Sequence, residues 1–352
     1  MNIDDIDTPA VLVDLDKAEA NLRAAQAYAD AHGLPLRPHV KTHKLPRFAR
    51  LQVELGAVGI TAQKLGEAEA MADGGLTDIL VPYNILGAAK LDRLYRLHQR
   101  ITLSVTADSA AAVEGYARRF TDPAKPLTVL VECDTGAARC GVQNAGEAVA
   151  LARAIDAAPG LSFGGLMTYP PRGGMVQTAA WLAGATAALT AAGLPPKVVS
   201  SGGTPDLWHA ADVAGITEYR PGTYIYKDRM QVAWGHGTLE DCALSVLATV
   251  VSHPTPDRAI LDAGSKALAA DSAGAPGHGF LPAYPDAKIT GLSEEHAIVD
   301  LSASASKPQI GERVRVIPNH ACVVSNLFDK VHLIRGTLVE EIADVTSRGK
   351  LT

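Results

Sequence analysis

Arg37-Pro38-His39-Val40-Lys41-Thr42-His43-Lys44 is the stretch that decides how the rest of the chain is read. It closes an apolar, strand-like run, and a helix-like segment from Leu45 to Leu55 follows at once. Two lysines, one arginine and two histidines fall within these eight residues. A lysine at the mouth of a sheet, among other cations, loses its proton more readily, and the neutral amine is the form that attacks a carbonyl. Taken alone, the cluster reads either as a solvated basic loop or as a site for an anionic, aldehyde-bearing cofactor with Lys41 as the residue that would hold it, and the rest of the chain favours the second.

Outward from that stretch the chain keeps a regular beat. Thr8 to Leu15 reads as a strand, and an Ala-rich helix starts at Asp16. Strand-like runs then end near Lys41, Gln63, Tyr83, Thr106, Asp134, Tyr169, Ser201 and Arg220. Helix-like segments separate them, near 46–55, 64–73, 87–98, 108–119, 144–158 and 176–192, with a short one near 206–211. Strands alternating with helices demand parallel pairing, and eight such units close as a (β/α)8 TIM barrel. A doubly wound sheet also alternates, but no Gly-x-Gly-x-x-Gly follows the early strands. After Tyr226 the segments become short and β-rich, broken by Pro and Gly, as at Leu244–Val251, Ala297–Leu301 and Arg313–Ile317. The expected class is α/β. Residues 1–15 hold a surplus strand that can pair with the second domain, 16–240 form the barrel, and 241–352 form a C-terminal antiparallel β domain.

Composition narrows the function. A formal net charge of −6 gives no basic field and argues against nucleic acid. No apolar run approaches the ~20 residues of a membrane span. The acidic start, Met1-Asn2-Ile3-Asp4-Asp5, lacks the basic and apolar regions of a secretory signal. Cys133, Cys140, Cys242 and Cys322 make neither a disulfide scaffold nor a Cys-x-x-Cys pair. A cytoplasmic enzyme fits.

Barrel enzymes carry their sites at the C-terminal ends of the strands, with a phosphate site after strands seven and eight. Strand one ends in Lys41, between His39 and His43, which can act as acid–base groups or orient the lysine. Strand five ends in Asp134-Thr135-Gly136 and runs on to Arg139-Cys140-Gly141, which puts Arg139 over the mouth. Strand six ends at Thr168-Tyr169, and strand seven in Ser200-Ser201-Gly202-Gly203-Thr204, whose amides and hydroxyls suit a phosphate. Strand eight continues as Arg220-Pro221-Gly222-Thr223-Tyr224. A second constellation, His320-Ala321-Cys322, ends an apolar strand. Alternate residues of an extended segment share a face, so an imidazole and a thiolate there can bind one cation. Two protein ligands leave positions open for substrate or water, as in a catalytic site. A buried cysteine beside a satisfied histidine is the plainer alternative.

His39-Val40-Lys41, the Asp134 to Gly141 segment, Arg220-Pro221-Gly222 and the barrel-then-β layout resemble the alanine-racemase-fold (fold type III) PLP enzymes. Within these, the chain is most similar to the D-threonine aldolase / D-serine dehydratase family. That resemblance implies that Lys41 holds pyridoxal 5'-phosphate as a Schiff base, with Arg139 near the ring and Tyr169 beside it. It places Ser201, Gly202, Gly203, Thr204, Gly222 and Tyr224 on the phosphate side, and matches Arg220 to the arginine that racemases set against the ring nitrogen. It also implies a divalent metal on His320 and Cys322. The thiolate favours zinc and matches the D-serine dehydratases, whereas the best-known D-threonine aldolases resemble His-x-Asp, which suits manganese better.

The implied function is a PLP- and metal-dependent lyase for D-β-hydroxy amino acids, working as a homodimer. The preferred reaction is retro-aldol cleavage to glycine and an aldehyde. The alternative, with the same residues, is dehydration of D-serine or D-3-hydroxyaspartate to a keto acid and ammonia. An amino-acid racemase needs a second base, usually a tyrosine of the β domain. Tyr284 is the only tyrosine after Tyr226, and its surroundings do not resemble that motif. A non-enzymatic PLP carrier of the single-barrel type would lack the β domain.

Overall fold

Short apolar strands and amphipathic helices alternate along most of the chain, and the backbone follows that pattern closely. A computed structural model describes residues 1–272 and 274–352. β1 (Ala10–Asp14) runs straight into α1 (Leu15–Ala31). Then come α2 (Pro46–Leu55), β2 (Ile60–Thr61), α3 (Leu65–Asp73), β3 (Asp78–Val81), α4 (Ala88–His98) and β4 (Thr102–Ala107). They are followed by α5 (Ala110–Arg119), β5 (Leu127–Cys133), α6 (Ala145–Asp156), β6 (Leu161–Thr168), α7 (Met175–Ala191), β7 (Val198–Ser201) and β8 (Glu218–Tyr219).

Strands β2 to β8 form a seven-stranded parallel sheet in sequence order. Residues 35–40 fill the eighth place. Leu36 bridges Tyr219 of β8 and His39 bridges Thr61 of β2, both in parallel. Arg37 N–H donates to Tyr219 O at 2.9 Å, His39 N–H to Pro221 O at 2.8 Å, and Val40 N–H to Thr61 O at 2.9 Å. The sheet therefore closes as the (β/α)8 barrel. Pro35 and Pro38 have no amide hydrogen to give, so this position is two bridges rather than a continuous strand.

Side-chain alternation sorts the barrel's two surfaces. Ile79, Val81, Val105, Val129 and Val199 pack outward in the core shared with the helices. Leu80, Leu130 and Met167, one residue out of step, form a separate small cluster on the other face, inside the barrel. The same alternation turns Ser200 and Glu218, partners across β7 and β8, to the inside.

The remaining elements are α8 (Arg229–Ala233), β9 (Leu244–Thr255), β10 (Arg258–Leu261), α9 (Ser265–Leu268), β11 (Lys288–Leu292), β12 (Ala297–Asp300), β13 (Arg313–Val316), α10 (Ala321–Leu327), β14 (Lys330–Arg335) and β15 (Leu338–Asp344). Their sheet has the order β11-β12-β10-β9-β1-β14-β15, with β13 also on β9. β1 pairs antiparallel with β9 and parallel with β14.

The chain divides into two compact units. One comprises residues 1–24, 42–45 and 223–349, and the other residues 25–41, 46–222 and 350–352. The division falls at Gly222/Thr223, whereas the change of rhythm in the sequence suggested a boundary near Asp241. Hydrogen bonds explain the difference. Arg229 N–H donates to Pro318 O and Met230 N–H to Asn319 O, both at 3.2 Å, and Ala243 N–H to Tyr226 O at 2.7 Å. Residues 223–241 are thus bonded into the β-rich unit. Among the described residues no helix is long and apolar enough to cross a membrane.

Candidate active site

Lys41 ends the bridging segment and is half-buried, and the histidine two residues before it sets its backbone. Lys41 N–H donates to His39 Nδ1 at 3.3 Å, and His39 Nε2 lies 2.9 Å from Gln63 Oε1. An imidazole that accepts at Nδ1 and keeps a proton at Nε2 is neutral, so buried His39 has both ring nitrogens engaged.

Beyond β5, Asp134 Oδ1 accepts the N–H groups of Gly136 at 3.0 Å and Ala138 at 3.1 Å. Its slight burial would raise its pKa, but these amides and Gln143 hold the carboxylate below its usual range. Ala138 is left-handed, with φ at +54°, a conformation that a Cβ makes unfavourable and that this ring of amides stabilises. The turn delivers Arg139, whose guanidinium lies 4.7 Å from the ring centroid of Tyr169, itself just past β6. Burial pushes the Glu132 carboxyl up, and Arg139 and Arg220 draw it back.

After β7 the backbone passes close to its neighbour. A Cβ on Gly202 would lie 2.6 Å from Arg220 N, and one on Gly203 would lie 3.4 Å from the Tyr169 ring. Tyr219 Oη donates to Gly203 O at 2.7 Å, and Gly222 N–H donates to Thr204 Oγ1 at 3.1 Å. Ser201 Oγ is buried with no hydrogen-bond partner among the described residues. Leaving such a group unsatisfied costs about 1–3 kcal/mol. An orphaned hydroxyl beside a glycine-lined backbone fits a phosphate.

Arg220 lies deeper. Its Nη1 donates to Ser200 Oγ at 2.6 Å, and its Nη2 donates to Thr168 O at 2.7 Å and approaches Met167 Sδ at 3.1 Å. Burial brings its guanidinium down to about 10, against the pull of Glu218 and Glu132.

The β-rich unit holds the second cluster. His320 is extended (φ −137°, ψ 100°) and caps α10, and Cys322 stands in that helix's first turn. Spacing alone put the pair on an extended segment. The helix starts earlier because Asp228 draws the backbone in: its Oδ2 accepts Ala321 N–H and its Oδ1 accepts Gln231 N–H, both at 2.9 Å. Cys322 Sγ lies 3.1 Å from Thr42 Oγ1 and 3.4 Å from Thr223 Oγ1. His320 Nδ1 lies 2.7 Å from Asp271 Oδ2, which leaves Nε2 as the nitrogen that can meet a cation. Burial opposes protonation of His320, but Cys322, Asp271 and Asp228 overcome it and raise its pKa to about 9. These surroundings favour positive charge. Among the described residues, no group of three or more His, Cys, Asp or Glu could hold a metal ion. An imidazole and a thiol with acidic neighbours fit a divalent cation whose other positions stay open.

The barrel unit thus brings together Lys41, His39, Arg139, Tyr169, Ser201, Gly202, Gly203, Thr204, Arg220 and Gly222, all at or just past strand ends. His43, Tyr224, His320 and Cys322 belong to the other unit. His43 is buried and its Nδ1 accepts Leu45 N–H at 3.1 Å, while Tyr224 is buried in the turn Thr223–Ile225. Tyr284 Oη donates to Glu312 Oε1 at 2.5 Å. Glu218, Asp228, Asp271 and the side chain of Gln63 drew no assignment from the sequence, and Ser200 entered only as part of the phosphate loop. Glu218-Tyr219-Arg220 did carry a signal, since a period of two puts the acid and the arginine on one face of a strand. Asp271, far from His320 along the chain, carried none.

Two family models match, "Alanine racemase, N-terminal domain" over residues 13–230 and "Putative serine dehydratase domain" over 243–334. The D-threonine aldolase of Arthrobacter sp is 35% identical over 98% of this chain and 93% of its own length. The D-threo-3-hydroxyaspartate dehydratase of Delftia sp. (strain HT23) is also 35% identical, over 92% of this chain and 93% of its own. Among solved structures, D-threonine aldolase from Filomicrobium marinum superposes with a TM-score of 0.91 at 32% identity, covering 99% of this chain and 97% of that one. A cysteine-to-alanine mutant of D-threo-3-hydroxyaspartate dehydratase, solved in a metal-free form, gives 0.89 at 32% identity, over 98% and 99%.

Proposed function

Because the chain belongs to the D-threonine aldolase / D-serine dehydratase family of PLP-dependent lyases on the alanine-racemase fold, we propose that it is a PLP- and divalent-metal-dependent lyase that cleaves D-3-hydroxy amino acids to glycine and an aldehyde. The observation that carries the cofactor assignment is the buried, unpartnered Ser201 hydroxyl beside Gly202 and Gly203. When bound, PLP supplies an aldehyde that condenses with amines and a ring that takes up electrons released at Cα.

The chain's own groups then have distinct tasks. Lys41 offers the amine, and neutral His39, fixed by Gln63, holds the Lys41 backbone in place. Ser201, Gly202, Gly203 and Thr204 would receive the phosphate, and Tyr169 and Arg139 would flank the ring. Arg220 would meet the ring nitrogen. A guanidinium only donates and does not give up its proton, so Arg220 would leave that nitrogen unprotonated. His320 and Cys322 would hold the divalent ion, which would supply a Lewis acid for substrate oxygens, and Asp271 fixes the imidazole.

Dehydration to a keto acid and ammonia is the second reading, and Cys322 is the residue that favours it, since a thiolate suits zinc. Incubation with D-threonine decides between them. Acetaldehyde and glycine, lost on chelation, are the expected products, and 2-oxobutyrate with ammonia would establish dehydration instead. Borohydride should leave a reduced adduct on Lys41, and an adduct elsewhere, or none, would refute the cofactor assignment.

A further inference from the structure

Inside the barrel, five side chains form one hydrogen-bonded line. Arg37 Nη1 donates to Asp78 Oδ1 at 2.5 Å, and Arg37 Nε donates to Glu218 Oε2 at 2.6 Å. The other oxygen of Glu218 lies 2.6 Å from Ser200 Oγ, and Arg220 Nη1 donates to that same Oγ at 2.6 Å. Arginine can only donate, so Ser200 accepts from Arg220 and must turn its own proton to Glu218. Every direction along the line is fixed. Ser200 and Glu218 are registered partners on adjacent strands, so the relay is part of the sheet and not of a loop.

The line has an electrostatic purpose as well as a geometric one. A buried guanidinium needs a counter-charge. Among the described residues the groups bonded to Arg220 through its side chain are Ser200 Oγ, Thr168 O and Met167 Sδ, none of them charged. Glu218 is the largest influence opposing what burial does to Arg220, and it reaches the guanidinium through a single hydroxyl.

We propose that Glu218, acting through Ser200, is the positioning residue of Arg220: it fixes the direction of the guanidinium and offsets its charge, so that the field at the cofactor ring is set from inside the barrel. This rests on the reading that Lys41 carries the cofactor and Arg220 faces its ring nitrogen. Without the charge of Glu218, Arg220 and Arg37 share one acid fewer. Extra positive charge in the barrel makes the Lys41-linked nitrogen give up its proton at lower pH.

The test is the visible absorption of the purified holoenzyme against pH, with cofactor affinity measured alongside. Glu218→Gln should lower the pH midpoint by several tenths of a unit up to about one unit, the range that removing one charge from a partly buried network produces at an effective dielectric near 20. Ser200→Ala should shift it the same way by less and loosen the cofactor several-fold. Ser200→Thr, which restores the hydroxyl, should return both values to wild type. Unchanged midpoints in Glu218→Gln and Ser200→Ala would overturn the proposal, as would a threonine variant that behaves like the alanine one. If Glu218→Gln does not fold, the two serine variants decide. A wild-type protein with no visible band would overturn the cofactor assignment, and this proposal with it, which is a different outcome from a band that the variants leave unmoved.

Discussion

Asp271→Asn should weaken zinc binding about tenfold although Asp271 is not one of the two proposed ligands. His320 Nδ1 and Asp271 Oδ2 are 2.7 Å apart, a charge-assisted hydrogen bond whenever the carboxylate is ionised. Hydrogen bonds to charged groups contribute about 1.5–3 kcal/mol. The side chains are 23% and 45% exposed, so solvent screening takes the value to the bottom of that range. Roughly 1.4 kcal/mol corresponds to a tenfold change in affinity. Asparagine keeps an oxygen that can accept from Nδ1, so the ring keeps its orientation and loses only the partner charge. Alanine removes both, and its cost should approach the upper end of the ~10–100-fold known for such outer partners. The assay is competition for zinc between the protein and a chromophoric chelator at fixed pH, without substrate, with cofactor absorption as the control for folding. If both variants hold zinc as tightly as wild type, Asp271 does not orient a metal ligand, and the case for a metal on His320 weakens with it.

Gly202→Ala should lower stability by about 1–3 kcal/mol and weaken cofactor binding, because its Cβ would meet the Arg220 backbone nitrogen at 2.6 Å and backbone cannot step aside. Urea unfolding and cofactor titration check this, and no change in either would refute the close approach. His98 supplies a pH prediction. Burial holds its pKa below the ordinary value, with Nε2 3.1 Å from Lys125 O. Its contribution to stability is therefore present above the unfolded value of about 6.5 and lost as pH falls through the folded one. The fall in urea midpoint from pH 7 to pH 5 should be smaller for His98→Gln than for wild type, and equal falls would sink the idea.

The barrel was legible because burial on both faces makes β3 and β5 rich in Val, Ile and Leu, as in Asp78–Val81 and Leu127–Cys133, and because helix-like segments separate the strands at a steady interval. The eighth strand position was legible too, but only as the residues before Lys41, since Pro35 and Pro38 hide its ladder. Lys41 and the Ser201 to Thr204 loop could be found because barrel topology says where to look. The helical cap at His320 could not, because Asp228, which draws Ala321 into α10, lies far back in the chain. Local spacing sees alternation, and it does not see a carboxylate arriving from another segment. The compact units divide at Gly222/Thr223, ahead of the change of rhythm near Asp241, because the bonds from Arg229 and Met230 to Pro318 and Asn319 are long-range.

The contents of the barrel interior bear on what the molecule is built to do. Leu80, Leu130 and Met167 form only a small apolar cluster there, and Ser200, Glu218 and Arg220 are buried in the same interior. Replacing buried ion pairs by well-packed apolar side chains is often neutral or stabilising by about 1–4 kcal/mol. A chain that needed only a stable barrel would do as well with leucine at these positions. The charges are instead joined by hydrogen bonds of fixed direction along one line that ends at the arginine assigned to the cofactor ring, with a serine whose proton has one place to go. Stability alone gives no reason for that order, whereas a need to hold one guanidinium at a set angle and a set charge does. Ser200→Ala isolates this need, because it removes the relay oxygen while leaving every ionised group in place.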